Sequence, residues 1–96
     1  MTVYAVAQVR ITQREAYDRY QARFMEVFKR FNGRLLAADP APKVEEGDWP
    51  AAKVVLMSFP DEPAFRAWAD SPEYRAISID RLAGSQAVVA LVKGLG

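Results

Sequence analysis

Val3-Tyr4-Ala5-Val6-Ala7-Gln8-Val9-Arg10-Ile11-Thr12-Gln13-Arg14-Glu15 passes from one structural period to another within thirteen residues, and the rest of the chain is read outward from that switch. Val3, Ala5, Ala7, Val9 and Ile11 fall on one side of an extended segment, with Tyr4, Val6, Gln8 and Arg10 on the other. Thr12 followed three residues later by Glu15 has the form of a capping box, in which each side chain satisfies a free amide at the start of a helix. Tyr17, Tyr20, Phe24, Val27, Phe28 and Phe31 then recur at helical spacing as one apolar stripe. Burying them contributes roughly 2 kcal/mol each. Asn32-Gly33 is the expected stop. On the outer face Glu15 with Arg19 and Glu26 with Arg30 are spaced as i,i+4 ion pairs.

Downstream, Arg34 to Ala38 reads as a short strand, and Asp39-Pro40-Ala41-Pro42 is irregular because its prolines lack amide donors. Lys53 to Phe59 is a strand whose core, Val54-Val55-Leu56-Met57, is apolar at odd and even positions alike, as expected where both faces are covered. Asp61 caps a helical piece carrying Pro63, Phe65 and Trp68. Ser71-Pro72-Glu73 restarts the helix, with Ser71 as cap and Pro72 at the position whose amide is not needed. Tyr74, Ile77 and Arg81 share a face of this second piece, Gly84 ends it, and Gln86 to Val92 is the last strand.

The order strand, helix, strand, strand, helix, strand predicts an α+β domain spanning residues 1–96. Its architecture is ferredoxin-like, with a four-stranded antiparallel sheet carrying its helices on one face. The other face would expose about 300 Å² of apolar side chains, near the limit for a monomer, so association of two sheets into a homodimer is expected. Tyr4, Gln8 and Arg10 would then line a covered cavity.

The chain has 96 residues, 51% of them hydrophobic and 26% charged, and a formal net charge of +1. That size suits one domain. The balanced, interspersed charge gives no basic footprint for nucleic acid. Ala87 to Val92, the longest apolar run near the C-terminus, is too short to cross a membrane, and the N-terminus lacks the pattern of a signal peptide, so a cytoplasmic location is expected. There is no His and no Cys. This removes the usual neutral-pH proton shuttle, the soft-metal ligands and the thiol nucleophile, and no metal site or cofactor is expected.

Six side chains stand out as candidate ligand contacts. Glu46 and Asp48 flank Gly47 in an acidic turn, where they suit a cation or a substrate proton, and equally a solvated turn. Trp49-Pro50 beside them fits a plug at the sheet end or dimer seam. Tyr74 and Arg81 lie two turns apart on one helical face, presenting a hydroxyl and a guanidinium the same way. They read equally as an amphipathic core Tyr and a paired Arg. Arg10 and Arg34 add positive charge that suits a carboxylate-bearing or enolate-like ligand. Trp68 reads as core.

Several pieces together resemble the domain-of-unknown-function 1330 family of the dimeric α/β-barrel superfamily. They are the opening Tyr4-Ala5-Val6-Ala7-Gln8-Val9-Arg10, Gly33-Arg34, Glu46-Gly47-Asp48-Trp49-Pro50, Phe59-Pro60, and Trp68 with Ser71-Pro72-Glu73-Tyr74. The resemblance covers nearly the whole chain, with Asn32 where the family typically has a second glycine and Ser58 where it has an acid. It implies a dimeric ferredoxin-like barrel with no established activity. The wider superfamily includes cofactor-independent monooxygenases, haem-degrading oxygenases and small isomerases. The absence of His argues against the haem and His-dependent branches. Three functions stay open: binding of a small organic molecule, cofactor-independent catalysis on a small acidic or phenolic compound, and a purely structural or assembly role.

Overall fold

The computed structural model describes residues 1–50 and 52–96. Its elements are β1 (Val3–Ile11), α1 (Arg14–Phe28), β2 (Arg34–Asp39), β3 (Lys53–Phe59), α2 (Glu62–Ala69), α3 (Pro72–Gly84) and β4 (Ser85–Lys93). The strands form one antiparallel sheet in the order β2-β3-β1-β4, the ferredoxin-like arrangement expected from the element order.

Alternation along β1 decides what each face carries. Val3, Ala5, Ala7 and Val9 are buried under the helices, and the register sets Ala5 between Met57 and Leu91. One residue along, Val6 stands between Leu56 and Ala90 on the opposite face, and Leu56 is in turn paired with Ala37. A row of apolar side chains therefore crosses all four strands on the helix-free side. The edge strand β2 is interrupted by a bulge between Leu35 and Ala37, which inserts Leu36 out of register.

Beneath α1 and α2 the core is aromatic. The Phe59 ring lies stacked on Trp68 at 5.6 Å between centroids, with Phe28 edge-on to both at 5.9 and 5.3 Å. Gly33 exists for this cluster. Its φ is not positive, but a Cβ there would come within 2.6 Å of the Phe28 and Phe59 rings.

Both later caps form as expected. Asp61 Oδ1 accepts the Ala64 amide at 2.9 Å, and Ser71 Oγ accepts the Tyr74 amide at 3.0 Å while donating to the Trp68 carbonyl at 2.8 Å. The start of α1 differs from the expected capping box. Gln13 is the cap residue and makes no side-chain cap bond. Instead the amides of Thr12 and Gln13 donate to the carbonyl of Gly84 at 2.8 and 3.1 Å, so the end of α3 and the start of α1 satisfy each other. Close packing of α1 on α3 also redirects Arg19. It gives Nε and a terminal nitrogen to Asp80 at 3.2 Å, across the helix pair, rather than pairing with Glu15. Glu26 and Arg30 do approach, at 3.9 Å. The helix itself ends at Phe28, ahead of Asn32-Gly33, and loose turns through Phe31 carry the chain onward. Among the described residues no helix is long and apolar enough to cross a membrane.

Candidate functional site

Between the inner face of the sheet and the three helices lies a cavity of about 520 Å³. Its floor is made by small and branched strand residues, among them Ala7, Val9, Val55 and Ala87, and its roof by Phe24, Phe65 and Trp68. The floor is low because alanine stands at positions where larger residues would meet the helices. A space of this size lined mostly by apolar groups is in the range of small-molecule sites.

Polar atoms gather at one part of the wall. The hydroxyls of Tyr20 on α1 and Tyr74 on α3 are 2.9 Å apart. Only one proton can lie between two hydroxyl oxygens, so the other hydroxyl proton is available to a third group. Burial, and then the adjacent Tyr74, push the Tyr20 phenol far above its ordinary pKa, with Arg81 pulling weakly the other way. Tyr20 is therefore a neutral donor or acceptor, never a phenolate base, at physiological pH. Arg81 also lines the cavity, and its Nε is buried with no hydrogen-bond partner among the described residues. Trp68 Nε1 is the second such unpartnered donor. Lys53, at the head of β3, donates to Gln21 Oε1 at 3.2 Å and sits 5.0 Å from the centroid of the Tyr17 ring, a cation–π contact at the cavity wall.

Of the six residues singled out from sequence, the fold brings Tyr74 and Arg81 into this cavity together. Arg10 and Arg34 are exposed and stand opposite Gln86 and Ser58, on the helix-free side of the sheet. Strand alternation puts them there, because each shares its face with Tyr4 and Val6 rather than with the buried Ala5 and Ala7. Tyr4 and Gln8 are half-buried on that same side. Glu46 and Asp48 are exposed in the β2–β3 loop around Gly47, whose φ of 79° is the left-handed turn conformation, and neither lines the cavity. Trp49 beside them is 43% exposed.

Sequence reasoning placed Tyr17, Tyr20 and Trp68 only in the core and gave Lys53 no role. A signal was present. The stripe of α1 has hydroxyl-bearing rings at positions 17 and 20 and plain phenylalanines at 24, 28 and 31, which marks its first half as the part that meets something polar. Lys53 likewise heads a strand whose other inward positions, Val55, Met57 and Phe59, are apolar. Among the described residues no group of three or more acidic, His or Cys side chains could hold a metal ion.

Solved structures sharing this fold include a protein of unknown function from Rhodopseudomonas palustris, with a TM-score of 0.80 and 21% identity over 99% of this chain and 83% of that one. SnoaB, a cofactor-independent oxygenase from Streptomyces nogalater, superposes with a TM-score of 0.71 at 19% identity, over 99% of this chain and 94% of its own. A dimeric ferredoxin-like protein of unknown function from Jannaschia sp. CCS1 gives 0.73 at 16% identity, over 98% and 100%. At these identities the likeness is one of fold. No curated protein matches the chain. The family pattern of Domain of unknown function (DUF1330) matches residues 2–95, which takes in every strand and helix described above, and the chain belongs to that family.

Proposed function

We propose that this chain is a small-molecule-binding protein acting as a homodimer, each subunit holding an organic compound with an apolar, ring-sized body between helices and sheet. The observation that carries the reading is the cavity of about 520 Å³, apolar over most of its wall, with donors converging from α1 and α3. Pre-formed apolar space with a few placed polar groups is what such ligands require. Two features support the dimer. The helix-free face carries the apolar row Ala90, Val6, Leu56 and Ala37, flanked by Val88 and Val92, which are 71% and 47% exposed. Proteins of the same fold from Jannaschia sp. CCS1 and Thermobifida fusca are dimeric. A cytoplasmic setting accords with a chain that has no cysteine to oxidise.

Cofactor-independent catalysis is the second reading, supported by the fold shared with SnoaB. Here the cavity wall supplies donors and positioning, so the reactivity would come from the substrate itself.

The test is a thermal-shift and fluorescence titration with 4-tert-butylcyclohexanol, a ring-sized alcohol with no absorbance or emission of its own in the indole range, using Trp49→Phe so that Trp68 is the reporting indole. Saturation at a hundred times Kd raises stability by about 2.7 kcal/mol, and Trp68 emission changes in step. A flat melting temperature together with unchanged emission up to the solubility limit refutes the binding reading.

A further inference from the structure

The charge on the cavity wall is one-sided. Arg81 and Lys53 line it, and among the described residues no Asp or Glu does. Among the described residues neither cation is in an ion pair: Lys53 has Gln21 and the Tyr17 ring, and Arg81 has no side-chain partner. Every carboxylate that pairs with a basic residue elsewhere in the fold does so on the surface, as Asp80 does with Arg19. A guanidinium nitrogen held away from bulk water without an acceptor is unfavourable, and an oxygen acceptor in the cavity relieves it, a charged one most strongly. The hydroxyl pair points to the same need. Tyr20 and Tyr74 satisfy each other with one proton and leave the second to donate outward, and both helices place these groups on the wall that also holds Arg81.

Resting on the binding reading above, we propose that the natural occupant is an aromatic monoanion whose anionic oxygen is received by Arg81 and the Tyr20–Tyr74 hydroxyl pair, its ring lying against Phe24, Phe65 and Trp68. Lys53 contributes a second positive charge at the wall, which draws anions toward the cavity and excludes cationic ligands. Guanidinium is suited to this because it remains charged and presents several donors in one plane to a carboxylate or phenolate.

The experiment compares 2-naphthoate with its neutral isostere 2-naphthamide by isothermal titration at pH 7, on the intact chain. The wild type is expected to bind the anion at least tenfold more tightly than the amide. Arg81→Gln is expected to abolish that preference, weakening the anion at least tenfold. Lys53→Met, far from the hydroxyl pair in sequence and on a different element, reduces the preference and its dependence on salt. If Arg81→Gln does not fold by circular dichroism, the wild-type ratio and Lys53→Met still decide. Equal binding of the two probes by the wild type overturns the inference and leaves the binding reading intact. A preference unchanged in both variants also overturns it. Failure of both probes to bind overturns the two together.

Discussion

Gly84→Ala is the sharpest test of the helix pair that walls the cavity. A Cβ at this position would lie 2.5 Å from the Tyr17 amide nitrogen, 2.9 Å from the Gln13 carbonyl oxygen and 3.0 Å from Ala16 Cβ. Ordinary contact needs about 3.5 Å, so the start of α1 must retreat from α3 by about 1 Å. The obstacles include rigid backbone, and no side-chain rotation relieves them. The retreat strains the two bonds from Thr12 and Gln13 to the Gly84 carbonyl, 2.8 and 3.1 Å long. Each contributes about 1 kcal/mol net, and loosened packing adds a further ~1 kcal/mol. Against this, alanine is favoured over glycine in a helix by about 1 kcal/mol. The balance is a loss of about 2 kcal/mol, a fall of roughly 10 °C in melting temperature for a chain of this size. Urea denaturation followed by circular dichroism should show the midpoint moving down by about 1 M. Gly47→Ala is the control. Nothing lies within 4 Å of a Cβ there and its φ is 79°, so it is expected to lose only the ~1 kcal/mol of a left-handed residue. A Gly84→Ala midpoint equal to or above the parent's means that the close approach of α1 and α3 does not constrain the fold.

Two further outcomes are expected. Tyr20 is held in its neutral form by burial and by Tyr74, so its contribution is complete below the unfolded tyrosine pKa of about 10 and is lost as pH rises beyond it, by about 1.4 kcal/mol per unit. Tyr20→Phe should cost about 1 kcal/mol at pH 7 through the lost hydroxyl bond, yet flatten the alkaline fall of the urea midpoint between pH 10 and 11; an undiminished slope in the variant contradicts the burial argument. Leu56→Lys places a charge in the middle of the apolar row on the helix-free face and should give folded monomers by sedimentation velocity, with the circular dichroism spectrum preserved. A variant that sediments as the parent does removes that face from the dimer contact.

Much of the architecture was legible because it rests on local periodicity. Odd-numbered burial in β1, the caps at Asp61 and Ser71, and the doubly apolar run in β3 are each properties of a few neighbouring residues. The start of α1 was not legible, since the amides of Thr12 and Gln13 just ahead of it donate to Gly84, more than seventy residues away, and no local pattern encodes that partner. Arg19 escaped its i,i+4 partner for the same reason. The cavity lay further out of reach. Helical spacing shows that Tyr17, Tyr20 and Phe24 face inward, but whether they meet solid packing or empty space depends on how far the helices stand above alanines of β1 and β4. Tyr74 and Arg81 line the same cavity because both lie on one helix, where spacing alone sets their common direction. Arg10 and Arg34 were grouped with them by charge, although their strand positions assign them to the other surface.

The bulge at Leu36 bears on how many copies can join. An outermost strand with regular, unpaired amides invites another chain to continue the sheet, and such growth has no natural end. Here one residue too many throws the rim out of step, and Pro40 follows directly after the strand. Lateral extension is frustrated along that border, whereas in the proposed homodimer the apolar row is hidden by pressing flat surface to flat surface, which is used up after a single pairing. At the β2 border, then, a local irregularity and not any contact between partners opposes open-ended growth.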